Sequence, residues 1–118
     1  MNGKAYCIAA AASLFLANVS QPSRAASFDC AKARTGDEKA VCADRALNDQ
    51  DVEMAVLYRQ LKPLLGMGAR GDLEDAQAAW LKRREGCAED RSCLSKAYEE
   101  RVLQLRNGFE ALAKRGPF

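Results

Sequence analysis

Apolar residues recur at helical spacing through most of the chain after residue 43, and no segment alternates in the way that strands do. The pattern predicts three long helices, over 44–65, over 72–87, and from residue 93 or 94 to 112. We therefore expect an all-α bundle in which each helix buries one face. The apolar stripes are, helix by helix, Leu47, Met54, Tyr58, Leu61 and Leu65; Leu73, Ala76, Trp80 and Cys87; and Leu94, Tyr98, Val102, Leu105 and Phe109.

Residues with special backbone roles mark where these helices start and stop. Thr35 and Glu38 match a capping box, which predicts a short helix over 36–41 behind an extended arm. Pro63 should bend or end the second helix in its last turn. The glycine-rich segment 66–71 is interpreted as a linker, and 88–92 as a short loop. The fold expected is a short helix plus three longer ones, with a helical hairpin in the C-terminal half.

The first 25 residues have the layout of a cleavable secretory signal. Lys4 precedes an apolar run over 5–19, and small residues at Ser23 and Ala25 suit cleavage after Ala25. The run is too short to span a bilayer, and Cys7 lies too early in it for lipid attachment. We therefore expect 1–25 to be removed, leaving 26–118 as one domain that is periplasmic or secreted by a bacterium, with no stable membrane anchor.

The charge balance gives no sign of a nucleic-acid partner. Residues 1–25 contain two of the 18 basic residues and no acid, so 26–118 carry 16 basic and 16 acidic residues. A neutral domain without a basic patch does not attract nucleic acid. Its oligomeric state is left open by the sequence.

Four cysteines remain after the predicted cleavage, and their spacing favours disulfides. The chain has no histidine and no C-x-x-C pair, so zinc binding and thiol redox catalysis are both disfavoured. An even number of cysteines in a small exported domain is typical of a disulfide framework. Cys87 and Cys93 lie at the facing ends of two predicted antiparallel helices, which predicts the pairs Cys87–Cys93 and, by exclusion, Cys30–Cys42.

No catalytic, cofactor-binding or metal-binding residues are predicted. Without histidine, Ser92 has no base to activate it, and the carboxylate pairs are best explained as solvated surface. We therefore expect a protein that is not an enzyme and needs no cofactor.

Three charged residues lie on or beside the predicted apolar stripes: Asp51, Arg84 and Arg101. Buried charges must be paired, so we expect a polar network in which Asp51 forms a bidentate bridge with Arg84 or Arg101. The alternative is that all three lie at the edge of the stripe and reach water.

The chain carries an ordered set of residues that resembles a known family. Phe28-Asp29-Cys30, the segment 38–42 and Leu57-Tyr58 precede two further motifs, and the resemblance covers about 28–106. These motifs are Trp80, Arg84, Glu85 and Cys87, then Cys93, Leu94, Tyr98, Arg101, Val102 and Leu105. Together they resemble the N-terminal domain of the LprI-type lysozyme inhibitors. The resemblance implies an exported, helical, cysteine-linked protein that binds a lysozyme-like glycosidase.

A binding function has a candidate surface in the loop between the two C-terminal cysteines. Arg91 and Ser92 could donate hydrogen bonds into a lysozyme cleft, while Glu89 and Asp90 could face a basic rim. The alternative function is that of a structural or stress-related cell-envelope protein without inhibitory activity.

Overall fold

The computed structural model describes residues 26–116, which form an all-α fold, as predicted. This part of the chain contains four helices, α1 (Gly36–Ala43), α2 (Arg45–Leu61), α3 (Met67–Gly86) and α4 (Arg91–Ala113). Two 3-10 turns, Cys30–Lys32 and Lys62–Leu64, precede α1 and follow α2. The predicted signal over 1–25 lies outside the described residues. Within 26–116, none of the helices is both long and apolar enough to cross a membrane.

The core lies mainly between α2 and α4, the two helices with the most extensive mutual contact. Leu47, Met54 and Leu61 of α2 are at most 3 % exposed, as the apolar stripe predicts. The glycine in α4 has a packing role here, because a Cβ on Gly108 would lie only 2.7 Å from Cδ2 of Leu61. Gly108 thus allows the last turns of α4 to approach the end of α2. The core side of α4 contributes Leu94, Ala97, Tyr98, Val102, Leu105 and Leu112.

Side-chain caps begin three of the four helices. The Glu38 carboxylate accepts hydrogen bonds from the backbone N–H of Arg34 (2.8 Å) and Thr35 (3.4 Å), the acidic half of the predicted capping box. Asp44 accepts from the N–H of Leu47 at the start of α2 (3.1 Å). Asp90 does the same for α4. Each cap satisfies a backbone donor that the helix itself leaves free.

The segment 67–71 is helical, so the prediction of a linker over 66–71 was wrong except at Gly66, the extended N-cap of α3. It forms the first turns of α3, which begins at Met67, while Pro63 falls in the 3-10 turn that ends α2. Glycine costs about 1 kcal/mol inside a helix, but the packed remainder of α3 extends the helix towards its start. Arg70 also donates from Nη2 to the carbonyl of Leu65 (3.2 Å), which fixes the chain reversal. A second correction concerns Ala76, which is exposed and lies off the buried face of α3.

Two disulfides cross-link the ends of the helices. Cys30 is bonded to Cys42, with 5.8 Å between their Cα atoms, and this bond fastens the N-terminal 3-10 turn to α1. Cys87 is bonded to Cys93, with a Cα separation of 5.6 Å, and this bond closes the turn between α3 and α4. Both bonds restrict the unfolded chain more than the folded one, which stabilises a domain too small for a large core.

Candidate functional site

The turn closed by Cys87–Cys93 is shorter than the loop predicted over 88–92. α3 ends at Gly86 and α4 begins at Arg91, so Arg91 and Ser92 belong to the first turn of α4. Asp90 is the N-cap, and its carboxylate accepts from the N–H of Cys93 at 3.0 Å. Ala88 reverses the chain with a φ of 49°. The sequence analysis assigned Arg91 and Ser92 to a loop because it did not recognise Asp90 as the N-cap of α4.

This turn packs against α1 and is held there. A Cβ on Gly36 would lie 3.0 Å from Cγ of Glu89 and 3.4 Å from the carbonyl carbon of Ala88, so the two segments are in close contact. Nη1 of Arg91 also lies 3.0 Å from Oδ2 of Asp44, at the junction of α1 and α2. We call the exposed area around this contact the corner surface. It includes Ser92 and surrounds a shallow depression of about 250 Å³ lined by Lys39, Ala40, Ala43, Glu89 and Arg91.

A network of buried charges lies inside the bundle behind the corner surface. Asp51 is fully buried, and its Oδ1 accepts a hydrogen bond from the hydroxyl of Tyr98 at 2.9 Å. Its Oδ2 accepts from the backbone N–H of Ser27 at 2.6 Å. Nη1 of Arg84 lies 3.6 Å from Oδ1 of Asp51. Asp51 therefore joins α2 to α3, α4 and the N-terminal segment.

The expected bidentate bridge from Asp51 is not formed, because Arg84 lies between two carboxylates. Its Nε donates to Oδ2 of Asp37 at 2.8 Å, and its Nη1 donates to the hydroxyl of Tyr98 at 3.3 Å. The guanidinium carbon also lies 5.4 Å from the ring centre of Phe28 and 5.8 Å from that of Trp80. Aromatic faces attract a cation, so they support the same orientation of Arg84.

Asp37 is the member of the network that the sequence interpretation missed. It is 1 % exposed and links α1 to α3 through Arg84. A signal was present, because Asp37 precedes the buried Ala40 and Val41 by three and four residues and so lies on the same helix face. Its place inside the capping box made it look like an ordinary first-turn acid.

Arg101 is buried, as expected, but it does not join this network. Its Nε donates to the side-chain oxygen of Gln77 at 2.9 Å and its Nη1 to that of Gln104 at 3.1 Å. Within residues 26–116, its Nη2 has no hydrogen-bond partner. Arg101 thus ties α4 to α3 through neutral amides, and the prediction that it belongs with Asp51 was wrong.

The pKa values reflect the balance between burial and pairing. Burial opposes ionisation of Asp37, but contacts with Thr35 and Arg84 outweigh it and lower the pKa. Burial also opposes the charge on Arg84, yet Tyr98 and Asp37 outweigh it and raise its pKa. For Tyr98, burial and the negative charge of Asp51 raise the pKa. At neutral pH Asp37 is therefore ionised, Arg84 is charged and the phenol of Tyr98 is neutral.

Arg101 is the exception, because no carboxylate offsets its burial. Desolvation lowers its pKa below the usual value for arginine. An arginine remains charged even so, and the two glutamine oxygens accept hydrogen bonds from its guanidinium.

The contacts among these buried side chains connect the helices to one another and form a structural scaffold. The aromatic pair Trp80 and Tyr98 packs edge to face at 5.1 Å, and the indole N–H of Trp80 donates to the carbonyl of Ala97 at 3.0 Å. Among the described residues, no group of three His, Cys, Asp or Glu side chains is placed to hold a metal ion. A cleft of about 440 Å³ lies between α2 and α3 and is open to solvent.

Comparison with known proteins identifies the family of this chain. A family model described as "Lysozyme inhibitor LprI" matches residues 30–105. The chain belongs to the LprI lysozyme inhibitor family. The segment matched by the LprI model starts at Cys30 and ends at Leu105, so it contains both disulfides, the buried network and the corner surface.

The curated LprI relatives are longer than this chain. Proteins named "Lipoprotein LprI" from Mycobacterium tuberculosis and Mycobacterium bovis are 36 % identical to it over 92 residues. The similarity covers 75 % of this chain and 45 % of each relative, so the chain spans about half the length of the curated relatives it matches. No solved structure matches the chain.

Proposed function

We propose that this chain is an exported binding protein that inhibits a lysozyme-type glycosidase. The observation that carries the proposal is the extent of the family match, which runs from Cys30 to Leu105 and includes both disulfides, α1 to α3 and most of α4. The LprI family is described as a family of lysozyme inhibitors. An inhibitor acts by binding, and the helical scaffold described above is suited to present a fixed surface.

We propose the corner surface as the part that contacts the enzyme. The disulfide Cys87–Cys93, the Asp90 cap and the ion pair between Arg91 and Asp44 hold it in one conformation. A surface that is already ordered loses little conformational entropy on binding. Lysozymes cleave sugars with two carboxylates in a cleft, and Arg91, whose side chain is 66 % exposed, offers a guanidinium to such groups.

Export is part of the proposal. Two disulfides in a domain of this size persist in an oxidising compartment such as the bacterial periplasm or the cell exterior. The segment 1–25 supports the same location, because its sequence has the features of a secretory signal. Detection of the chain in the periplasm or medium, with its N-terminus at Ala26, would be the expected result of a fractionation experiment.

The test of inhibition is a lysozyme assay on bacterial cell walls with increasing amounts of the oxidised protein. We expect a saturable loss of lysozyme activity, and we expect this loss to disappear after reduction and alkylation of the disulfides. Lysozyme activity that stays unchanged at about 100 μM folded protein, a concentration far above a Kd of about 1 μM, would refute the proposal.

The surface can be tested with a matched pair of arginine variants. Arg91→Glu should weaken inhibition at least tenfold, because it reverses the charge offered to the enzyme. Arg106→Glu is the control, since Arg106 is similarly exposed, also forms a surface ion pair, and lies about 22 Å further along α4. Equal inhibition by both variants would show that the enzyme binds elsewhere on the molecule, even if inhibition itself is established.

A further inference from the structure

Within residues 26–116, most of the outward flank of α3 has no partner, although its Arg83 pairs with Glu100 of α4. The buried side chains of this helix are Gln77, Trp80 and Arg84, which face the core. Away from them, a row of residues recurs every three or four positions, and every member of the row is exposed. In order these residues are Ala69, Asp72, Ala76, Ala79, Arg83 and Gly86.

The charges on this flank are arranged so that they complement themselves. Asp72 and Asp75 lie in the first half of α3, and Lys82 and Arg83 lie in the second half. If a second copy of α3 ran antiparallel beside the first, each acidic pair would lie opposite the basic pair of the other copy. The row has the same symmetry, because Asp72 and Arg83 are equally far from the midpoint between Ala76 and Ala79.

The centre of this flank would allow two helices to approach closely. Ala76 and Ala79 are small, and the distance between packed helices is set by the side chains at the contact. Two antiparallel helices also place opposite ends of their dipoles side by side. Residues 26–118 carry equal numbers of acids and bases, so no net charge opposes association of two copies.

We propose that the outer flank of α3 is the interface of a two-fold symmetric homodimer. Asp75 and Lys82 of one copy pair with Lys82 and Asp75 of the other, and the alanines pack at the axis. The inference is independent of lysozyme inhibition, because this flank is distinct from the corner surface. The proposed dimer also explains why Ala76 is exposed in the single chain, because its side chain would be covered by the second copy.

A charge swap tests the interface by sedimentation equilibrium of the oxidised protein. Asp75 and Lys82 suit the test, because neither forms an ion pair inside the described part of the chain, whereas Arg83 contacts Glu100. Asp75→Lys and Lys82→Asp should each raise the dimer Kd at least tenfold, because each replaces two attractive contacts by two repulsive ones. The double variant Asp75→Lys, Lys82→Asp should restore the Kd to within about threefold of the wild-type value.

The control is Glu110→Lys, which makes the same charge change as Asp75→Lys near the end of α4 and should leave the dimer Kd unchanged. A wild-type protein that is monomeric at about 1 mM would overturn the proposal, since an interface weaker than that has no defined dimer. A double variant as weakly associated as the single ones would overturn the antiparallel arrangement.

Discussion

Replacing Asp51 with alanine should destabilise the protein more than any surface substitution. The side chain is fully buried and accepts hydrogen bonds from Tyr98 and from the backbone of Ser27. Its removal leaves both donors without their acceptor. Arg84 would retain Asp37 as its one carboxylate partner within the network. The unfolded chain loses nothing by the same substitution, so the effect falls almost entirely on the folded state.

The expected size of the effect follows from the nature of these contacts. Breaking a buried ion pair by removing one partner costs about 3–5 kcal/mol, much of it from the charge and donors left behind. A domain of this length has a free energy of unfolding of about 5–14 kcal/mol. Since 1 kcal/mol shifts the Tm of such a domain by about 4–8 °C, we expect Asp51→Ala to lower it by at least about 12 °C.

Thermal and urea denaturation with the disulfides intact would measure this difference. Asp49→Ala is the matched control, because Asp49 is on the same helix but pairs with Arg45 at the surface, where both side chains are mostly exposed. It should change the Tm by less than about 4 °C. Tyr98→Phe should fall between the two, since it removes the two hydrogen bonds of the hydroxyl, to Asp51 and from Arg84, but no charge. Equal Tm values for the Asp51 and Asp49 variants would refute the network as a source of stability.

Two further predictions concern the capping box and the glycines. The pKa of Glu38 is lowered, first by the hydrogen bond from the backbone of Arg34, so its contribution is present above about pH 5 and is lost as the pH falls. Glu38→Gln should therefore flatten the acid limb of a plot of urea midpoint against pH; an unaltered limb would argue against the cap. Gly71→Ala should stabilise α3 by about 1 kcal/mol in urea denaturation, because nothing lies near its missing Cβ. Gly108→Ala should give no such stabilisation, because its new Cβ would clash with the side chain of Leu61. An equal gain in stability at both sites would contradict the close packing of α4 on α2.

The helical period of the sequence predicted the core, because burial is set by which residues share a helix face. Leu47, Met54 and Leu61 are buried as the stripe required, and so are Leu94, Tyr98 and Leu105. The cysteine pairs were also accessible to reasoning, since helix ends joined by a few residues are close together in any fold. These features depend on local spacing, which the sequence displays directly.

The partners of the buried charges could not be read in the same way. Asp37 and Arg84 are 47 residues apart, and their contact depends on how α1 lies against α3. Spacing showed that Asp51 and Arg84 face inwards, but the choice among several inward-facing groups is made by the packing of all four helices. The helical state of 67–71 was missed for a related reason, because the extension of a packed helix outweighed the local glycine content.

The buried network and the corner surface are connected through the start of α1. Asp37 is fixed by Arg84, and the residue before it, Gly36, is the one that contacts the turn at Ala88 and Glu89. The charge pair in the core thus holds α1 where the disulfide-closed turn can rest on it. A hydrophobic pair could fill the same volume, but it would not fix the relative orientation of the helices. The guanidinium of Arg84 has a fixed geometry, so it pairs with its two carboxylates in only one arrangement. We therefore interpret the network as the device that orients the proposed binding surface, with the disulfides fixing its ends.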